Sequence, residues 1–585
     1  LGYAVDKNQV SRENADYQTI EKAIREDRKF NPAEANRSNG MWDEFLEAPK
    51  DKQFSINVVK FGVEQLRKEL KNSYGESYQT TIMNSILRRL ANHMTSDLAS
   101  VKSSANIDHL PWDELPTADQ ELRSKKGRLK VIEALMKEIG LFEHNPYMKL
   151  KTVVRLVQAT SQGLICDLFK KNQHGGLREI YVLTIKSRVL ALFIETCARE
   201  LCSQFDQETM THPNRKLQVV EGHKNRVAFQ AKKMNCPYAE FHCSADKKSW
   251  NNNLVMPVLS VPLFMLLPKS MHGAIQSIMN MWTKRLIKVP TGVLKLLKSG
   301  TQLTCPTYQD MLKEFNEPGS TGDRPLFAAK HSPFVVLRTG MMQGILHFCS
   351  SLLHVAFLAL TKTLMLYSYS VKYPDVVAFV DQMCSSDDSA TIISIIFKDK
   401  ESTRENQSAS VFTEILCMAL TTFCQYSCFT NSEKSTMGAP HQLEFNSEFI
   451  IINTLAVPTY KWLMAAINVD EAESLMLRSI NSYNLMSQVF SAGLPAYFTS
   501  VIQVCQAILH YRLLGANTSS FFDQYSTEIE EYPDPSLGFF IMDNIRVPGV
   551  LGYDYHHWAH CRHHKMFAIK KKRVLDGSLG FTPEG

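Results

Sequence analysis

The sequence has no CxxC pair among its 13 cysteines, no internal repeat, no low-complexity block and no large excess of charge of one sign. An odd, scattered set of cysteines in a long chain excludes a disulfide scaffold and reads as reduced thiols in a cytosol-like compartment. Lys and Arg number 65 against 59 Asp and Glu, a formal net charge of +6. That excludes a wholly basic nucleic-acid coat but leaves room for a locally basic channel. Long apolar runs are also scarce. Leu254–Leu267 is interrupted by Pro257 and Pro262 and falls short of a membrane span. Ile345–Leu366 is long enough, yet it carries His347, Ser350, Ser351, His354 and Lys362 and reads as a buried helix, so no span is expected. The chain starts at Leu1 without a basic n-region or apolar h-region, so it reads as a piece of a longer polypeptide with no secretory signal.

What is there is ordinary globular chemistry: 585 residues, 44% hydrophobic and 21% charged. A chain this long cannot build one core, and two to four subdomains are expected. Helical spacing recurs at Val59, Val63, Leu66 and Leu70, at Ile82, Ile86 and Leu90, and at Val131, Leu135 and Ile139. The first 150 residues therefore read as helical scaffold. Gly163–Phe169 and Ile180–Leu183 read as strands joined through Gly175-Gly176, a hairpin with Lys170, Lys171 and Arg178 around its tip. Residues 184–235 read as helix then loop. Ala274–Ile287 reads as a helix ended by Pro290, 301–332 as a long loop with short pieces, and 410–430 and 446–515 as helical.

The chemistry concentrates in a few strings. Ser385-Ser386-Asp387-Asp388 holds the only Asp-Asp of the chain, between two strand-like runs in Gln382–Phe397. Adjacent carboxylates at a hairpin tip suit hard cations. Upstream, Asp246 closes a short apolar segment, followed by Lys247, Lys248, Ser249, Trp250 and Asn251. Two-metal phosphoryl transfer needs carboxylates from separate strands, and Asp246 and Asp387 would supply them. Between these strings, Gly340 to Gly344 is a glycine loop that includes Gln343 and opens onto an apolar helix with Ser350 and Ser351. Downstream lie Lys434 and then Glu444, Phe445, Ser447, Glu448 and Phe449.

In that order, the set resembles the polymerase module of segmented negative-strand RNA viruses, the bunyavirus-type L protein, closest to its phlebovirus and phenuivirus branch. The Lys170–Ile180 hairpin resembles motif F, Asp246 with Trp250 motif A, and Gln343-Gly344 with Ser350-Ser351 motif B. Ser386-Asp387-Asp388 resembles motif C, Lys434 motif D, and Glu444 with Ser447–Phe449 motif E. Each string is weak alone; six in sequence order across 170–449 are specific. In one departure, the family usually carries Lys before the motif A Trp, where this chain has Ser249, with Lys247 and Lys248 just upstream.

The resemblance implies an α+β right-hand polymerase, helix-rich, with fingers, an RRM-like split βαβ palm and a helical thumb. The implied divisions are 1–160, a helical scaffold of the fingers; 161–240, fingers with motif F; 241–270, palm with motif A; 271–330, a fingers insertion; 331–450, palm with motifs B to E; and 451–585, thumb and the start of a C-terminal region. Asp246, Asp387 and Asp388 are the implied ligands of two Mg²⁺ or Mn²⁺. Arg178 would meet the incoming triphosphate, with Lys170, Lys171 and Gln173 along its route. Gln343 and Gly344 would face the template, Lys434 would protonate pyrophosphate, and Glu444 would hold the primer strand. Asn251, five residues after Asp246, would read the ribose 2′-hydroxyl, with Trp250 shaping the pocket; the alternative is that Asn251 only caps a turn. Ser386 belongs to the acidic turn. Implied partners are template and nascent viral RNA, NTPs, nucleoprotein-coated RNA and the remainder of the L protein, in host cytoplasm and virion. Family L proteins also carry an endonuclease and cap-binding regions, for which this chain shows no signature.

Two other functions compete. A reverse transcriptase shares the palm but usually shows Tyr-x-Asp-Asp, where this chain has Ser385-Ser386 before the Asp pair. A silent RNA-binding scaffold need not keep Asp246, Asp387, Asp388, Arg178 and Lys434 together. The histidines from His556 to His564 and the trio Cys236, His242 and Cys243 lack a complete metal-ligand pattern and are read as no zinc site.

Overall fold

The structure is a computed structural model that describes residues 12–36, 51–98, 104–105, 117–123, 129–137, 154–155, 163–171, 178–213, 215–322, 324–342, 344–398, 403–446, 448–451, 454–456, 459, 463–464, 485–486, 488–490, 492–516 and 518–531. The chain divides into two units, one of Asp6–Asn446 and one built mainly from Ser447–Gly585. The longer helices of the first unit are α1 (Arg12–Arg28), α2 (Ile56–Tyr74), α3 (Tyr78–Leu98), α4 (Ile185–Cys202), α5 (Arg215–Met234), α6 (Met256–Leu266), α7 (Lys269–Trp282), α8 (Thr291–Ser299), α9 (Pro306–Asn316), α10 (His347–Lys372) and α11 (Thr403–Phe423). Its strands include β1 (Ile165–Lys171), β2 (Arg178–Leu183), β3 (Tyr238–Ala245), β4 (Arg285–Lys288), β5 (Phe334–Leu337), β6 (Val376–Ser385), β7 (Asp388–Phe397) and β8 (Thr436–Ala439). Helices and strands are mixed along the chain, an α+β organisation.

Two four-stranded sheets result. The first has the order β2-β1-β4-β5 and the second β6-β7-β3-β8. In the first, β1 pairs antiparallel with β2 and parallel with β4. The hairpin expected around Gly175-Gly176 is this β1–β2 pair, with Lys171 opposite Arg178. The second sheet is antiparallel throughout. Its β7 is an almost unbroken apolar run because both faces are covered. Ile393 and Ile395 pack with Met365 and Tyr369 of α10 and with Ala409 and Cys417 of α11. On the opposite face Ile396 meets Val227 and Ala231 of α5. Buried His223 of α5 braces that face, bonding Asp381 at 2.7 Å and Ser394 at 2.8 Å.

The helical stripes behave as their spacing dictates. Val59, Val63, Leu66 and Leu70 are all buried, as are Ile82, Ile86, Leu90, Val131 and Leu135, while Ile139 lies outside the described residues. The buried face of α2 lies directly on α10: a Cβ at Gly62 would stand 2.5 Å from the Ala356 carbonyl oxygen, so only glycine permits the approach. Among the described residues, two helices, His347–Lys372 and Arg404–Tyr426, are long and apolar enough to cross a membrane by length and composition. The first is mostly buried, as its polar residues indicated. The second exposes Val411, Ile415 and Met418.

Several expectations need correction. Residues 274–287 are not one helix: α7 ends at Trp282 and Arg285–Lys288 is the fully buried strand β4. A short apolar run does not declare its period, and pairing with β1 and β5 decides it. The supposed loop 301–332 contains α9, because Pro306 starts the helix rather than breaking it. The supposed loop at the end of 184–235 is α5. In the second unit, Glu448–Ile451 and Thr454–Ala456 form an antiparallel pair where helix was expected, and Ala496–Leu514 is helical as expected.

Candidate active site

The pairing of β3 with β7 builds the acidic site. Ala245 stands opposite Ser389, so Asp246, the next residue, runs beside Asp388 at the tip of the β6–β7 hairpin. Ser385 pairs with Asp388, leaving Ser386 and Asp387 as a two-residue turn. Ser386 takes a left-handed conformation (φ 57°) and is buried, while Asp246, Asp387 and Asp388 are half-buried. A tight hairpin needs such a residue, which ordinarily favours Gly or Asn. Here neighbours hold a serine there instead.

Those neighbours come from α10. His354 bonds the Ser386 carbonyl through Nδ1 at 2.7 Å, and Ser350 Oγ lies 3.3 Å from Ser386 Oγ. Ser350 and His354 are four residues apart on one helix face, which brings both to the turn. Ser350 also bonds its own helix at the His347 carbonyl, and Ser351 donates to Glu208 at 2.8 Å. Glu208 in turn accepts from Met210 N, Thr211 N and Thr211 Oγ1, and Thr209 donates to the Cys384 carbonyl. The end of β6 is therefore strapped from outside the sheet. Glu195 accepts from the Phe348 and Cys349 amides and caps α10. Burial holds His354 down at about 3, with the Lys247 charge acting in the same direction and the Ser386 carbonyl opposing. Burial also lowers His347, and the charge of Asp387 opposes it.

A second support fixes Asp246. Its carbonyl accepts from Ser432 N at 2.7 Å and Ser435 Oγ at 3.0 Å, and its amide donates to Ser435 Oγ at 3.1 Å. The loop so pinned carries Lys434, which is exposed. Glu444 is exposed as well, and its amide donates to Ser244 Oγ at 2.8 Å. Asp246, Asp387, Asp388, Ser386 and the backbone bearing Lys434 and Glu444 thus belong to one neighbourhood. Of the cations near Trp250, Lys247 is turned inward: it is buried, bonds Asn431 Oδ1 at 2.5 Å and sits over the rings of Phe357 and Phe429. Lys248 is exposed.

Trp250 and Asn251 open a one-turn helix, Trp250–Asn253, after left-handed Ser249 (φ 50°). Trp250 is buried against His354 and Phe429. Asn251 is 9% exposed; its amide nitrogen donates to Asn252 and its Oδ1 is without a partner among the described residues. The Asn251 carbonyl accepts from Met341 N at 2.9 Å, and Gly340 N donates to the Leu254 carbonyl at 2.9 Å. A Cβ at Gly340 (φ 83°) would press to 3.0 Å of the Asn251 carbonyl oxygen, so glycine allows both the turn and the approach.

This junction is clamped by residues that sequence patterns do not announce. Buried Arg285 donates to the Gly340 and Thr339 carbonyls. Buried Lys52 donates to the Asn252 carbonyl at 2.5 Å and Thr339 Oγ1 at 3.1 Å. Asp27 accepts from Arg338 N, Thr339 N and Thr339 Oγ1. Gly344 (φ 87°) is exposed just ahead of α10, and Gln343 lies outside the described residues. Lys170, Lys171 and Arg178 occupy the paired ends of β1 and β2 in the other sheet; Gln173 lies outside the described residues.

The acidic donors have the chemistry a hard divalent cation requires. They are half-buried carboxylates, and the Asp246 carboxylate has no ion pair or side-chain bond among the described residues. No three His, Cys, Asp or Glu side chains among the described residues form a ready-made metal cluster. Mg²⁺ commonly takes one or two carboxylates and completes its shell with water and substrate phosphates. Cys236, His242 and Cys243 do not form a set: His242 engages the Ala439 carbonyl and Glu240, and Cys236 the Met234 carbonyl. The histidine-rich tail lies outside the described residues.

A family model described as Bunyavirus RNA dependent RNA polymerase matches residues 48–556. The chain is similar to RNA-directed RNA polymerase L of Uukuniemi virus (strain S23), 31% identical over 573 residues, covering 96% of this chain and 26% of the relative. The corresponding protein of Rice stripe virus (isolate T) is 31% identical over 611 residues, 96% and 20%. That of Dabie bandavirus is 29% identical over 579 residues, 96% and 26%. The chain thus spans about a quarter or less of the length of these relatives.

Proposed function

Because the chain belongs to the bunyavirus RNA-dependent RNA polymerase family, we propose that it is the catalytic core of an RNA-directed RNA polymerase working by two-metal nucleotidyl transfer. The observation that carries this reading is the β3–β7 register, which runs Asp246 alongside the Ser386-Asp387 turn. Asp246 and Asp387, with Asp388 beside them, would hold Mg²⁺ or Mn²⁺. Such ions, when bound, make the primer 3′-hydroxyl a better nucleophile and neutralise the triphosphate.

The chain's own residues do the rest. Ser350, Ser351 and His354 fix the turn so that the carboxylates need not reorganise during reaction. Arg178 offers a guanidinium fork to the triphosphate, and Lys170, Lys171 and Gln173 line its approach. Lys434 stands on the loop pinned to Asp246 and gives a proton to the departing pyrophosphate. Gln343 and Gly344 face the template, Glu444 holds the primer strand, and Trp250 with Asn251 shapes the sugar pocket. In this reading the β6-β7-β3-β8 sheet lies in the palm, β1, β2 and β4 belong to the fingers, and residues from 451 begin the thumb. The piece would work within a longer L protein on nucleoprotein-coated RNA, transcribing and replicating a segmented negative-strand genome in host cytoplasm and virion.

Primer extension on a short RNA template tests this. Template-dependent NTP incorporation with Mg²⁺ or Mn²⁺ is expected, falling to below roughly a thousandth in Asp387→Ala while RNA binding persists. Undiminished extension by Asp387→Ala would falsify the assignment. Efficient dNTP incorporation would instead favour a reverse transcriptase, against which Ser385-Ser386 stand in place of the usual aromatic residue.

A further inference from the structure

The sheet that carries the acidic site meets α11 through a pair of thiols. Cys243 of β3 and Cys417 of α11 lie in one buried cluster with Met365, Tyr369 and Ile393, and the two are 3% and 0% exposed. The Cys417 thiol donates a hydrogen bond to the Cys243 sulfur. We infer that this pair is a redox modification site, a dithiol that a peroxide converts reversibly to a disulfide tying β3 to α11, three residues before Asp246.

The backbone brings the pair together. The edge strand β8 pairs with β3 at His242–Ala439 and at Ser244–Thr436, so Met437 and Gly438 stand against the single residue Cys243 in a bulge. Gly438 takes a left-handed conformation there (φ 75°), and its amide donates to the Cys243 sulfur. A Cβ built on Gly438 would stand 3.8 Å from the Cβ of Cys417, which places the α11 thiol at the same spot.

Chemistry separates this pair from the other buried thiols. Burial pushes Cys166, Cys197, Cys202, Cys349, Cys384 and Cys428 up. Cys243 is instead lowered, first by the Cys417 bond, with the Gly438 amide and the Lys247 charge acting the same way against burial. Cys417 is raised, first by its bond to Cys243 and then by burial. One thiol gives up its proton readily and the other keeps it, the division between an attacking and a resolving cysteine. The Cys243 thiolate attacks one oxygen of hydrogen peroxide, which yields a sulfenic acid and hydroxide, and the proton Cys243 released turns that hydroxide into water. The Cys417 sulfur then attacks the sulfenic sulfur, and its proton leaves with the departing hydroxide as a second water. Each sulfur is oxidised by one electron, and the two electrons reduce the peroxide. Dithiothreitol reverses the step by thiol exchange and ends as its own cyclic disulfide. A disulfide draws its sulfurs to about 2.05 Å, closer than hydrogen-bonded thiols stand, so β3 or the helix packed on it must shift.

Hydrogen peroxide treatment of the folded 585-residue chain, then alkylation of the remaining thiols in denaturant and mass spectrometry of the tryptic peptides, tests this. The expected product is a peptide pair joined through Cys243 and Cys417, lighter by two hydrogens and lost on adding dithiothreitol. Exposed Cys505 is the internal reference. Oxidised Cys505 with Cys243 and Cys417 both alkylated would overturn the site, and so would a bond from either to a different cysteine. In Cys417→Ser, which keeps a hydroxyl donor, Cys243 should stop at a sulfenic acid that dimedone labels; a folded variant without that label would overturn the attacking role. The wild-type map needs no variant, so a Cys417→Ser chain that fails to fold leaves the test intact. The effect on activity rests on the polymerase reading. Extension should fall by about tenfold on oxidation and return with dithiothreitol, since misplacing reacting groups by about 1 Å can cost about 10²-fold. Unchanged extension by the fully oxidised chain would overturn the link to Asp246. A mapped disulfide in a chain that never extends would sink the polymerase reading and leave this site standing, and extension by a chain that forms no disulfide would do the reverse.

Discussion

Two stretches of backbone border the candidate active site, and they are held in opposite ways. The Ser386 turn is gripped by neutral groups: Ser350, Ser351 and His354 of α10. The Thr339–Gly340 junction is gripped by charged groups, the cations Arg285 and Lys52 and the carboxylate of Asp27. The difference follows from what each stretch presents. In the proposed reading, in which Asp246 and Asp387 would hold metal ions, a cation bonded to the turn would compete with those ions, since opposite charges within a few ångström are strongly attracted. Neutral donors fix geometry without that competition. At the junction the clamped atoms are carbonyls, amides and one hydroxyl, so buried charges can bind them strongly, and charge-assisted bonds are about twice as strong as neutral ones.

The charged clamp should be the more costly to break. Arg285→Met removes the donors of two buried carbonyls, and each unsatisfied group costs about 1–3 kcal/mol. A loss of about 2–5 kcal/mol in unfolding free energy is expected, measured as a drop in denaturant midpoint at constant slope. Arg285→Lys should recover part of it, because an ammonium reaches a carbonyl but lacks the planar fork. An unchanged midpoint in Arg285→Met would show that the junction holds without the clamp.

The neutral clamp should reveal itself through pH. Burial sets His354 at about 3 against an ordinary 6.5. Between those values the unfolded chain binds a proton that the folded chain does not. His354 therefore leaves stability intact above pH 6.5 and erodes it as pH falls towards 3, by up to about 1.4 kcal/mol per unit. His354→Phe should flatten that acid limb while lowering stability at neutral pH by about 1 kcal/mol through the lost Ser386 bond. Thermal midpoints from pH 4 to 8 would check both; parallel curves for the two proteins would assign the acid limb to other groups.

The same contrast explains what the sequence could and could not reveal. The acidic hairpin was legible because Asp-Asp between apolar strands is a local signal, and the α2 stripe was legible because its spacing is local too. Ser350 and His354 were half legible, since they share a helix face but their target is 32 to 36 residues away. Lys52, Arg285, Glu208 and Asp27 were illegible. Each is a charged residue of a type normally exposed, and each serves a partner on another element, up to 312 residues distant for Asp27. β4 was misread for the same reason: Arg285 in a short apolar run looks like a helix end until the sheet around it is known.

The smallest expected effect concerns Asn251, which sits where the two clamped stretches meet. Its carbonyl bonds Met341 N on the junction side, and its neighbour Trp250 packs on His354 on the turn side. Its side-chain amide nitrogen is satisfied by Asn252, but Oδ1 is buried without a partner among the described residues. A buried, unpaired acceptor carries a desolvation cost that a hydroxyl donor would relieve. A ribose 2′-hydroxyl is such a donor and a deoxyribose offers none. Asn251→Ala should therefore reduce the preference for NTPs over dNTPs by about tenfold, the equivalent of one hydrogen bond of about 1.4 kcal/mol. The reduction should appear as slower NTP use with dNTP use nearly unchanged. The alternative role, as part of the one-turn helix alone, predicts that both sugars suffer equally, so single-nucleotide incorporation measured in parallel with NTP and dNTP separates the two.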